Sequence, residues 1–222
     1  MIPLSIPNLS DRAKENLEEC IETNYVSTIG PFVEKFEKNL ADKVDTEGAV
    51  ATMNGTSGLH LALDVLGVDD DDLVILPTIT FIASANAISY CGASPWMFDV
   101  RSDDWTMDLE LLEKGLNEQT EKKNGQLIHT STGRTIRAIL AVHPVGIPPN
   151  LSALQQIANR YELPLVSDAA ASIGATFEQQ PVGSISDVTV FSFNGNKTVT
   201  CGGGGGIVST NEEILEEADV PA

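Results

Sequence analysis

Residues 73–98, from Leu73 to Phe98, carry no charged side chain. A run of that kind must leave water, either in a bilayer or inside a fold. Its interior decides between them. Pro77, Thr78, Thr80, Ser84, Asn86, Gly92 and Pro95 interrupt it, which spoils a continuous membrane-spanning helix. It reads instead as a buried strand ("LVILP"), a helix ("TFIASANAISYCG", stopped by Gly92) and a second strand ("SPWMFDV").

The rest of the chain repeats that alternation. Two helical stretches come first, "DRAKENLEECIETN" and "VSTIGPFVEKFEKNLADKV", the second with Phe32, Val33, Phe36 and Leu40 on one face and Pro31 in its first turn. "GAVATMNGTSGLHLALDVLGV" follows as strand, glycine turn and helix. Later strands are predicted at "IRAILAVHPVG", "PLVSDAAAS", "DVTVFSF" and "GIVST", the last pairing back on its predecessor. Helices are predicted at "DLELLEKGLNEQ" and at "NLSALQQIANRYEL", with Asn150 as N-cap. "KKNGQLIHTSTGR" reads as an exposed loop. The pattern is that of an α/β fold in three layers, a mostly parallel central sheet flanked by helices, with no linker to divide residues 1–222. Thr210 and Glu213 have capping-box spacing for a last helix. That helix is so short that the chain reads as cut short.

Charge narrows the function. Thirteen Lys and Arg stand against 32 Asp and Glu, a net charge of −19, so no basic stripe is available for a nucleic-acid backbone. An anionic ligand would need backbone N–H groups and helix ends instead. Cys20, Cys91 and Cys201 are far apart, which makes a metal site improbable and suits a reduced, cytoplasmic protein. "MIPLSIPNLSDRAKENLEEC" is not a signal peptide.

Three features bear on chemistry. "NGTSGLHLAL" sets Gly-Thr-Ser between a strand and a helix, where helix N–H groups and the hydroxyls of Thr56 and Ser57 suit a phosphate; an ordinary capped turn fits the same residues. Asp168 ends a strand, where acids in open α/β sheets point into ligand sites, although it would equally cap the turn that follows. Lys197, in "FSFNGNKTVTCGGGGG", precedes its glycines; a phosphate-binding GxxxxGK[ST] loop has the reverse order and is excluded. Flanking β-prone residues argue against a flexible linker. A lysine in a neutral, tightly turned pocket suits Schiff-base chemistry, and a solvated loop lysine is the plain alternative. Together, a phosphate cradle, an acid for a pyridinium nitrogen and an isolated lysine are the protein parts that a pyridoxal 5'-phosphate (PLP) site requires. Phe81 is placed to stack on the ring, with simple core packing as its plain alternative, and Ser192 to add a phosphate hydroxyl.

The chain resembles the nucleotide-sugar aminotransferases of the DegT type, fold-type I PLP enzymes. The resemblance runs from "IPLSIPN" to "GGGGGIVST" through "YVSTIGPFVEKFE", "NGTSGLHLAL", "PTITFIASANAISYCGASPWMFDV", "VHPVG", "SDAAASIGA" and "FSFNGNKTVTCGGGGG". It implies that Lys197 holds PLP as a Schiff base, that Asp168 pairs with the pyridine nitrogen, and that Phe81 stacks on the ring. Thr56, Ser57 and Ser192 would grip the phosphate. His143 matches a family position near the cofactor, its role open. The implied reaction is transamination of a nucleotide-linked keto-sugar, 4-keto by the wording of "FNGNKTVT", with glutamate as donor, in a homodimer serving amino-sugar and polysaccharide synthesis. The sugar pocket would draw on the segment around Tyr25, Ser27 and Thr28.

Departures accompany it. Ala171 stands where the family usually carries Gln or Glu, Ser167 replaces a common acidic neighbour, and Pro144 follows His143. The family's small C-terminal domain would be missing, so a non-catalytic domain of the same fold is an alternative. A sugar dehydratase would carry histidine in place of Lys197.

Overall fold

In the computed structural model, which describes residues 6–219, helices α1 (Asp11–Glu22) and α2 (Pro31–Val44) precede strand β1 (Gly48–Thr52). The "IPLS" that opens the resemblance lies outside the described residues. Helix α3 (Gly55–Val65) follows, and then the uncharged stretch folds as β2 (Leu73–Pro77), α4 (Ile82–Tyr90) and β3 (Ser94–Phe98). Pro31 opens α2, and Gly92, at φ 78°, closes the turn after α4, both as predicted.

Helix α5 (Leu109–Gln119) leads into a hairpin, β4 (Thr120–Lys123) and β5 (Gln126–His129). The sequence reading as an exposed loop is therefore corrected. Asn124 and Gly125 both take positive φ, 53° and 80°, the two-residue turn that folds strands back on each other. Then come β6 (Ile136–Val142), α6 (Leu151–Tyr161) and β7 (Leu165–Asp168), with the Asn150 side chain accepting from the Ala153 N–H at 3.0 Å as the expected cap. A small ribbon, β8 (Thr176–Phe177) and β9 (Gln180–Pro181), precedes β10 (Val188–Ser192), β11 (Gly205–Ser209) and α7 (Glu212–Ala218). The last cap differs from expectation by one residue. Asn211 accepts from the Glu213 N–H at 2.9 Å, because β11 holds the chain extended to Ser209 and leaves Asn211 at the helix entrance.

Seven strands form the central sheet in the order β1-β11-β10-β7-β6-β2-β3. β3, β2, β6, β7 and β10 are mutually parallel, and β11 runs against both its neighbours. β1 consequently points the same way as the parallel strands. Alternation along the buried strands sorts the core. Val74, Leu76, Ala138, Leu140, Val166 and Val190 pack with α3 and α4, whereas Ile75, Ile139, Ala141 and Leu165 pack with α5 and α6. Helix α2 covers the same side as α5 and α6 farther along, through Leu40 and Val44 against Phe191 and Val208. A register shift between Leu73 and Val74 leaves Arg137 as an extra residue in β6, and it reaches Asp72 with Nε to Oδ2 at 2.9 Å. Among the described residues no helix is long and apolar enough to cross a membrane.

Candidate active site

Six strands end on the same side of the sheet, and the segments at the ends of five of them supply the site, as expected for open α/β sheets. β1 hands over to α3 at Asn54. β2 ends before Phe81, β6 before His143, β7 on Asp168 and β10 on Ser192. Lys197 lies in the loop between β10 and β11. A cavity of about 340 Å³ is lined by Thr56, Phe81, Asp168, Ser192 and Lys197, so the structure brings five of the six predicted residues together. Ser57 does not line it. It is exposed one residue farther along α3, and its N–H is taken by the Asn54 carboxamide at 2.9 Å.

Local folding explains each position. Asn54 caps α3 with its side chain and its carbonyl, engaging the Ser57 and Gly58 N–H groups, while the Thr56 N–H finds no acceptor among the described residues. That leaves a donor at the positive end of a helix beside a buried hydroxyl, Ser192. The glycine run is what permits this closeness. A Cβ on Gly205 would lie 2.5 Å from the Asn54 carbonyl carbon, so only glycine lets β11 pass the start of α3. The loop carrying Lys197 is fastened by Thr198, whose hydroxyl donates to the Ala171 carbonyl at 2.8 Å. Lys197 Nζ stands 5.9 Å from the centre of the Phe81 ring, which is 73% exposed and faces the cavity rather than the core.

Asp168 is almost wholly buried, and burial pushes its carboxyl up from the usual carboxylate range. Three groups oppose that: Ser84, donating Oγ–H to Oδ2 at 2.6 Å, the Ala170 N–H to Oδ1 at 3.2 Å, and the charge of Lys197. The sequence reading missed Ser84. Its signal was a serine amid the apolar residues of α4, four positions after Thr80. Asn194 and Asn196 also line the cavity and were missed; nothing in their spacing marked them.

His143 is also buried here, with Nε2 3.2 Å from the Ser167 hydroxyl and Nδ1 without a partner among the described residues. Burial lowers its pKa from 6.5 to about 3, so the ring is neutral at physiological pH. The folded protein takes up this proton less readily than the unfolded chain. Stability is therefore present above pH 6.5 and is lost as pH falls toward 3. Urea melts of wild type and His143→Gln across that range should converge in acid, with His143→Gln the less pH-dependent; parallel pH profiles would refute a buried neutral ring.

Against known proteins, the family model described as the DegT/DnrJ/EryC1/StrS aminotransferase family matches residues 7–220. The chain belongs to that family. It is 35% identical over 214 residues to the GDP-perosamine synthase of Escherichia coli O157:H7, an alignment covering 96% of this chain and 54% of that one. The PLP form of a provisionally named sugar aminotransferase of Streptococcus pneumoniae, Spr1654, superposes with a TM-score of 0.82 at 29% identity, over 98% of this chain and 56% of that one. DesI, solved in the presence of its TDP-sugar product, gives 0.80 at 28% identity, over 94% and 48%. The chain spans about half the length of the curated relatives it matches.

The family is PLP-dependent. The residues present fit that cofactor. A buried acid, a lysine amine and an aromatic face line one cavity together with Thr56, whose helix N–H has no acceptor among the described residues, and the buried Ser192 hydroxyl, a pair suited to a phosphate. Ala171 brings no polar side chain to the cavity it lines, and its carbonyl accepts from the Thr198 hydroxyl.

Proposed function

We propose that this chain forms the cofactor-binding part of a PLP-dependent aminotransferase that aminates a nucleotide-linked 4-keto-sugar with glutamate as donor. The observation that carries the proposal is the convergence of Lys197 and buried Asp168 on one cavity that also reaches the start of α3. PLP, when bound, supplies an electron sink that makes the Cα proton of an amino acid removable. Everything else falls to the chain's own groups. Lys197 anchors the cofactor through its amine and, once released, takes the proton from the donor's Cα. Asp168 sets its negative charge against the ring nitrogen. Phe81 covers one ring face, and Thr56 with Ser192 holds the phosphate at the positive end of α3. Ser57, turned outward, contributes only through its place in the cap.

The nucleotide-sugar part of the reading draws support from the relatives' names, GDP-perosamine synthase and a TDP-sugar enzyme. A homodimer belongs to it, supported by the exposed apolar side chains of Ile79 and Ile82 after β2 and Val145 after β6. So does a reduced, cytoplasmic setting, consistent with three free cysteines.

The deciding experiment is an absorbance spectrum of purified protein with added PLP, before and after glutamate. A protein-bound cofactor band that glutamate bleaches is expected. No band, or a band indifferent to every amino donor, would sink the catalytic reading.

A further inference from the structure

Asp168 reaches its hydroxyl partner across the fold, and that partner has a partner of its own. Ser84, fully buried on α4, donates to Asp168 Oδ2 at 2.6 Å. Thr80 Oγ1 lies 2.7 Å from Ser84 Oγ, and also 3.1 Å from the Phe81 carbonyl. Each hydroxyl carries one proton. With Asp168 ionised, the Ser84 proton is committed to the carboxylate, so the short Thr80–Ser84 contact is filled by the Thr80 proton. Protonation of Asp168 reverses the order: the acid donates to Ser84, Ser84 to Thr80, and Thr80 to the Phe81 carbonyl. The three groups thus form a directed relay whose sense follows the charge on the acid.

We infer that Ser84 is a positioning residue for this site, and that Thr80 and Ser84 together aim the Asp168 carboxylate and hold it ionised for the ring nitrogen of PLP. The inference rests on the PLP reading above for its purpose, but not for the relay itself. A buried carboxylate with fewer donors turns neutral, and a neutral acid cannot pair with a protonated ring nitrogen. The other ionisable groups facing Asp168 are Lys197, across the cavity, and His143 at the end of β6, whose backbone N–H donates to the Asp168 carbonyl at 3.0 Å. His143 is neutral, so Ser84, the Ala170 N–H and Lys197 are the groups that favour the charged form against burial.

The test reads the acid directly. In cofactor-free protein labelled with ¹³C at aspartate carboxyls, and with the signal assigned by Asp168→Asn, the Asp168 titration midpoint should rise by about one pH unit or more in Ser84→Ala. PLP affinity should fall about tenfold in the same variant. Ser84→Thr should restore both, and Thr80→Val should move both in the same direction by less. A folded Ser84→Ala protein with the wild-type midpoint would overturn the inference. Should Ser84→Ala fail to fold, Thr80→Val at its half-buried position decides: a raised midpoint supports the relay and an unchanged one refutes it. Failure of the wild-type chain to bind PLP would count against the proposed function alone, since the titration is measured without cofactor.

Discussion

Lys197→Ala is expected to yield a folded protein that loses PLP on gel filtration and transfers amino groups at least about a thousandfold more slowly than wild type. The size of the effect follows from the cavity's composition: no other lysine or arginine lines it. On the proposed assignment, removing the amine would remove the covalent tether and the base at one stroke, with no second amine lining the cavity to substitute. The fold should survive, because Lys197 is only half-buried in a loop whose own fastening is Thr198 to the Ala171 carbonyl. Added primary amines should recover part of the proton transfer without restoring retention. Cofactor retention equal to wild type would mean that another residue holds PLP and that the site is misassigned.

The second large effect is structural. Gly205→Ala should destabilise the protein by about 3 kcal/mol, the upper end of the cost of overpacking a well-filled interior. Its new methyl would sit 2.5 Å from the Asn54 carbonyl carbon and 2.7 Å from the Gly55 nitrogen, both backbone atoms that cannot rotate aside. β11 and the start of α3 would have to part, which also spreads Thr56 from Ser192. Thermal unfolding and PLP affinity should therefore fall together. Gly203→Ala is the internal control, since among the described residues nothing lies within 4 Å of the Cβ it would add. Equal unfolding midpoints for the two variants would discard this account of the glycine run.

Much of the architecture could be read locally because burial and chain direction leave local marks. The uncharged residues 73–98 announced a buried strand, a helix and a second strand, which lies half-exposed at the sheet edge, and Asn150 and Gly92 sat where a helix must start or stop. Asp168 and Lys197 were legible as strand-end and loop residues. What escaped was set by orientation and distance. Thr56 and Ser57 are chemically alike and adjacent, yet a step of one residue around α3 turns one into the cavity and the other to solvent. Ser84 meets Asp168 across 84 positions of sequence, a contact with no local signature. The hairpin at Asn124–Gly125 is a different case, because its turn dipeptide was visible and polar flanks obscured it.

The sheet's connectivity also has a consequence for the order in which the molecule can be made. Among the described residues β1, at the edge, pairs with β11 alone, and β11 is among the last of them to leave the ribosome. The parallel strands β2, β3, β6 and β7 can assemble beforehand as synthesis proceeds. The start of α3, Gly205 and Ser192 cannot come together until β11 inserts between β1 and β10. A nascent chain halted before residue 205 would hold the acid and the lysine but no finished phosphate end, so capacity for cofactor should arise late and abruptly during translation.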